Sequence, residues 1–306
     1  MSRLASSGCL RISRTQSGVY RGFGPLFDGD RRIIEKMAPK LKRVLVADPE
    51  PGAARLFSDL MREIAHSHIW VGGTTERALK VAETCDPQLV VVCLGDERLD
   101  GLGFVRKLRR STWVCRKAPV ITITGVATQG MILAARDAGV HEFLRKPYSM
   151  KDLLRRLEAV TLRDRDWVEG VGYIGPDRRR FNSGDYSGPL KRKTDGSETP
   201  YQQKINQCLK IIRAAVAAAE SDPAQAMRAM LTQATTLQSM ATDFHLTLAA
   251  SEFYRHLTRH QQSGAPLTCA MAQGWAAKVL AFLPKDADAG RNKPDPKPEP
   301  TSLLLG

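Results

Sequence analysis

Pro87-Gln-Leu-Val-Val-Val-Cys93-Leu-Gly-Asp-Glu-Arg-Leu-Asp-Gly101 decides the fold. Residues 89–94 are continuously apolar and valine-rich, without the polar alternation of a strand that faces water on one side. Such a strand is covered on both faces, as in parallel sheets flanked by crossover helices. Working outward, 44–47 reads as a strand and 51–67 as a helix with Leu56, Leu60 and Ile64 on one stripe. A strand at 69–71 and a helix at 75–84 behind the candidate cap Thr74 follow. Beyond the quoted stretch come a helix at 103–110, a buried strand at 120–124 and a helix at 129–138 closed by Gly139. A strand at 142–144 then runs into Lys146-Pro147, and a helix at 150–162 points Leu153, Leu154 and Leu157 inward. Five strand–helix units in series predict an α/β domain with a five-stranded, doubly wound parallel sheet. Its functional crevice belongs at the carboxyl ends of the strands, where Asp48, Cys93, Thr124 and Lys146 stand.

Those strand ends carry a resemblance. Val44-Leu-Val-Ala-Asp48-Pro-Glu-Pro51, the quoted stretch with its Asp100-Gly101 turn, Pro119-Val-Ile-Thr-Ile-Thr124-Gly and Ala138-Gly-Val-His-Glu-Phe143-Leu-Arg-Lys146-Pro147 occur in order and at consistent spacing. Together they resemble the receiver domain of two-component response regulators, a flavodoxin-like fold, over about 120 residues. The resemblance implies a pocket in which an acidic pair and a phosphoacceptor aspartate hold Mg²⁺, while a hydroxyl residue and a lysine bind the phosphoryl oxygens. Asp48 matches the first acid, Thr124 the hydroxyl residue and Lys146 the lysine. Phe143 matches the aromatic that reports activation.

The match departs at two positions. Pro49 stands at the second acid and Cys93 at the phosphoacceptor. Mg²⁺ wants oxygen ligands, and a thiol neither supplies one nor forms an acyl phosphate. The resemblance is therefore to a degenerate pseudoreceiver, which acts through protein contacts or through a signal other than phosphate. No cofactor, metal site or catalytic residue is expected. Asp48 and Lys146 are expected to pair across the pocket, and Cys93 to be a small, inert replacement. Asp96 and Glu50 are the acids that could serve as surrogates. For Asp96, an odd shift along an extended strand turns the side chain to the opposite face.

The rest of the chain reads as appendages and a second domain. Residues 1–40 are expected to form a disordered extension, with translation starting at Met1 or Met37, and the receiver spans 41–162. Residues 163–200, rich in Gly, Asp, Arg, Ser and Pro, read as a flexible linker. Helical periodicity returns over 201–284, with Ile205, Leu209, Ile212 and Val216 on one stripe and an Asp222-Pro223 helix start. This predicts a small all-α bundle, followed by a disordered, proline-rich tail at 285–306. The net charge of +14 raises the question of an acidic partner. The bundle region answers it with seven Lys or Arg against four Asp or Glu, a solvated surface with no nucleic-acid stripe.

Six widely spaced cysteines suit reduced thiols and a cytoplasmic protein. No segment is apolar enough for a membrane span. The bundle shows no phosphate loop or nucleophile elbow, so an enzyme is not expected. Histidine kinases, phosphotransfer proteins or other regulators are the expected partners, with a homodimer as one option and neither nucleic acid nor membrane expected. The reading is an atypical response regulator acting as an adaptor. Its alternatives are a phosphorylation-competent regulator using Asp96 or Glu50, and a DNA-binding regulator.

Overall fold

The computed structural model describes residues 28–178 and 199–284. A helix α1 (Asp28–Met37) and a 3-10 turn (Ala38–Leu41) lead into β1 (Arg43–Ala47), α2 (Pro51–Ala65), β2 (His68–Gly72) and α3 (Thr75–Cys85). Then follow β3 (Leu89–Cys93), α4 (Gly101–Arg110), β4 (Val120–Thr124), α5 (Gln129–Asp137), β5 (Glu142–Arg145) and α6 (Met150–Thr161). The five strands are parallel in the order β2-β1-β3-β4-β5. This is the flavodoxin-like sheet anticipated from the apolar run at β3, and the order changes direction at β1 and β3, whose ends carry Asp48 and Cys93.

Two compact units divide the chain. The first holds residues 28–104, 113–128 and 142–164, including all five strands. Alternation along the strands sends Val44, Val46, Leu89, Val91, Ile121, Ile123 and Leu144 to one core, closed by Phe57, Met61 and Ile64 of α2 and Leu153 and Leu157 of α6. Ile34, Met37 and Leu41 complete that core, each at most 1% exposed. Lys40 Nζ also donates to the Thr161 carbonyl at the end of α6 (2.7 Å). The expected disordered extension is thus corrected over 28–40; residues 1–27 lie outside the described residues. Ile33, Ile34, Met37 and Leu41 recur at helical spacing, and the charges between them masked an amphipathic turn.

A second correction concerns α2. Leu56, placed on one stripe with Leu60 and Ile64, is 62% exposed, because Phe57 and Met61 define the buried stripe one step around the helix. On β5, Glu142 is fully buried and pairs with Arg156 of α6 at 3.1 Å, a tie that periodicity did not signal.

The second unit holds residues 105–112, 129–141, 165–178 and 199–284. Helices α7 (Pro200–Ala217), α8 (Pro223–Met240), α9 (Phe244–Ser263) and α10 (Cys269–Leu280) share a core of Leu209, Ile212, Met230, Leu237, Phe253 and Leu257. Thr199, Asp222, Asp243 and Thr268 cap their N-termini through side-chain oxygens. The expected flexible linker is corrected in its first part. Strands β6 (Trp167–Glu169) and β7 (Ile174–Pro176) pair as an antiparallel hairpin, whose Glu169 and Ile174 are buried. Gly170 and Gly172 serve its turn, and three-residue strands are too short to show a period. Residues 179–198 and the tail 285–306 lie outside the described residues.

The buried α1 gives a direct test. Ile34→Ala should lower stability by about 2–5 kcal/mol, the usual range for truncating a fully buried isoleucine, read as a shift in the urea unfolding midpoint. An unchanged midpoint would return α1 to the status of an appendage.

Candidate functional site

The crevice is built by strand ends. Asp48 follows the last residue of β1 and is 9% exposed. Its Oδ1 accepts from the Glu50 backbone N–H (2.9 Å), which fixes the turn into α2, where Glu50 is the N-cap and Pro51 the first helical residue. Cys93 ends β3 and is half-buried. Thr124 ends β4, is fully buried, and its Oγ1 accepts from the Val126 N–H (3.2 Å). The Lys146 backbone N–H donates to the Thr124 carbonyl (2.7 Å), carrying the β4–β5 pairing one residue beyond β5. Lys146 Nζ lies 3.9 Å from Cys93 Sγ.

Asp48, Cys93 and Lys146 line one small cleft, together with Phe57, Ile123 and Tyr148. Of the residues singled out from sequence, these three are brought together. Thr124 sits beside them through its carbonyl, Phe143 is buried in β5, and Glu50 is exposed on the α2 turn. Asp96 lies on the loop after β3, where Arg98 grips it: Nε to Oδ1 (3.0 Å), Nη2 to Oδ2 (2.8 Å) and backbone N to Oδ1 (2.9 Å). Those bonds lower the Asp96 carboxyl to about 2. The expected Asp48–Lys146 pair is corrected. The amine turns to sulfur instead, and Asp48 satisfies a backbone donor, because a loop N–H two residues on competes for the same carboxylate.

Electrostatics set the state of the sulfur. Burial raises the Cys93 thiol above its ordinary range, the charge of Asp48 raises it further, and Lys146 offsets only part of this. Tyr148 is raised for the same reasons, burial first and then Asp48. The Cys93 thiol and the Tyr148 phenol in the cleft therefore both stay protonated at neutral pH. Tyr148 and Arg98 escaped the sequence reading. Tyr148 follows Lys146-Pro147 directly, and Arg98 stands two residues past Asp96, but neither position shows its partner without the loop geometry.

The resemblance implied Mg²⁺. The cleft offers a hard cation one carboxylate; sulfur and an imino acid fill the other two places. Among the described residues no group of three or more His, Cys, Asp or Glu is placed to hold a metal. The donor set does not fit that ion, and no step is derived through it.

The response regulator receiver domain family matches residues 44–158. Residues 44–158 are a receiver domain. The transcriptional regulatory protein PdtaR of Mycobacterium tuberculosis is 27% identical over 160 residues, 52% of this chain and 73% of that protein. The probable chemotaxis protein CheY of Rhizobium etli is 26% identical over 124 residues, 40% of this chain and 95% of that protein. A CheY-like receiver domain from Methanospirillum hungatei superposes with a TM-score of 0.34 at 20% identity, covering 39% of this chain and 91% of that one. Receiver domains are signalling modules of two-component systems, and that is the coarse function of this one. Among the described residues no helix is long and apolar enough to cross a membrane.

The raised thiol makes a checkable statement about this receiver. Cys93 should alkylate slowly at pH 7, with its rate climbing only at a pH above the ordinary thiol range, when followed by peptide mass spectrometry with iodoacetamide. A fast reaction at pH 7 would mean that Lys146 outweighs burial and Asp48.

Proposed function

We propose that this chain is an atypical response regulator whose receiver is not phosphorylated at the usual position and which works as a protein-interaction adaptor. The observation that carries the reading is Cys93 at the end of β3, facing Lys146 Nζ across 3.9 Å where a carboxylate nucleophile would be needed. Pro49 supports it, since an imino acid beside Asp48 supplies no ligand. So does the protonated thiol, which neutralises no cation and attacks no phosphorus. Asp48, Thr124 and Lys146 are on this reading a retained frame that shapes the cleft, with Phe143 as a buried packing residue of β5. The partners are other two-component proteins, namely a histidine kinase, a phosphotransfer protein or another regulator, in the cytoplasm. Enzymatic and DNA-binding output are not part of the proposal. The bundle's mild charge balance argues against a phosphate-reading surface.

Asp96 and Glu50 define the competing reading. Asp96 is ionised, as a nucleophile must be, but three bonds from Arg98 occupy its oxygens. Incubation with acetyl phosphate and Mg²⁺, read by intact mass, separates the two. The adaptor reading expects no added phosphoryl group. A phosphoryl adduct that disappears in Asp96→Ala or Glu50→Ala would overturn it.

A further inference from the structure

Helix α8 and the closing turn of α5 are far apart in sequence, yet a continuous chain of polar contacts joins them inside the second unit. Gln225, on the first turn of α8 and fully buried, donates from Nε2 to Glu169 Oε1 (2.8 Å) and to the Gly170 carbonyl (3.1 Å). Gln233, two turns further along α8, donates to the Glu169 carbonyl (3.1 Å). The other Glu169 oxygen accepts from Trp167 Nε1 (2.9 Å). The Trp167 ring lies under the Arg109 guanidinium, 5.3 Å from its carbon, a cation–π arrangement. Arg109 is 1% exposed and donates from Nε and Nη2 to the Gly139 carbonyl (3.1 and 2.9 Å), at the end of α5.

The far end of the hairpin closes on the same turn. Gly139 takes φ +93°, and a Cβ there would meet the Ile174 carbonyl at 2.5 Å; a Cβ on Gly175 would meet the Gly139 Cα at 2.7 Å. The two backbones touch with no side chain between them, so neither moves without the other. Around this contact Arg109 Nη2 sits 3.3 Å from His141 Nδ1, and Arg165 Nη1 donates to the His141 carbonyl (2.6 Å). Guanidinium donates only, so Nδ1 is the acceptor and His141 is neutral.

Nothing in a tether requires this construction. A linker that only joins two domains gains nothing from a buried carboxylate satisfied at both oxygens, or from two glycines in backbone contact. We propose that the hairpin Trp167–Pro176 is a rigid relay, coupling the start of α8 to the last turn of α5 so that a change in either shifts the other. Coupling of this kind is reciprocal. A partner that grips the bundle would bias α5, the helix that begins five residues after Thr124, and a change in α5 would be felt by the bundle. The relay makes no use of phosphorylation, so it stands or falls separately from the adaptor reading.

The test perturbs one end and reads the other. In the full chain, Gln225→Leu removes the bonds to Glu169 and Gly170, and Gln225 makes no hydrogen bond to α5. Hydrogen exchange is then followed at the amides of Ala138, Gly139 and Val140, which donate to the carbonyls of Ala134, Arg136 and Ala135. The relay predicts exchange there faster by roughly tenfold, as local opening becomes easier, while amides of β1 and β3 keep their rates. Acceleration confined to the hairpin, with α5 unchanged, would overturn the proposal. Should Gln225→Leu fail to fold, Gln233→Leu removes the neighbouring bond to the Glu169 carbonyl and is read in the same way.

Discussion

A single buried carboxylate, Asp48, governs the receiver crevice. Buried charge must be compensated, and the means of compensation decides what a site does. A cluster of carboxylates around such a position calls for a metal ion. Here the surroundings are a backbone N–H, a thiol kept protonated by burial and by Asp48 itself, and an ammonium that has turned toward sulfur. On the proposed reading, that charge is balanced inside the protein, and the crevice keeps the strand-end positions of the family's phosphorylation site without calling for a metal or a phosphoryl group.

Much of this was legible in the sequence because it rests on period and spacing. The valine run of β3 could only be a strand covered on both faces, and the strand ends fell at Asp48, Cys93, Thr124 and Lys146 as in the family. Pairing was not legible. Asp48 and Lys146 have opposite charges at neighbouring strand ends, yet the Glu50 N–H, two residues along, claims Asp48. Arg98 claims Asp96 through loop geometry that no periodicity encodes. The Glu142–Arg156 pair lay hidden because a charged residue within a strand reads as solvent-facing until its helical partner is placed.

Short elements were the other blind spot. Helix α1 carries its apolar residues at helical spacing, but a basic, acid-poor run before it diluted the signal. Each strand of the hairpin Trp167–Pro176 has three residues, so its Gly and Pro content outweighed its pattern. What holds the hairpin is tertiary: Glu169 against α8, Trp167 under Arg109, and Gly175 on Gly139. In both places composition suggested a loose segment, while burial of a few side chains made an ordered one. The second unit is accordingly more than a bundle on a string. It includes the last part of α4 and all of α5, two helices that belong by sequence to the receiver.

The central claim is that the crevice balances its own charge and has no use for a divalent cation. Titration of the native protein with Mg²⁺, followed by amide NMR at Asp48, Cys93 and Lys146 and set beside the Pro49→Asp/Cys93→Asp variant, tests it most directly. The account predicts no saturable shift in the native chain across millimolar Mg²⁺ and a saturable one once both carboxylates are supplied. Saturable binding by the native protein at those residues would contradict it.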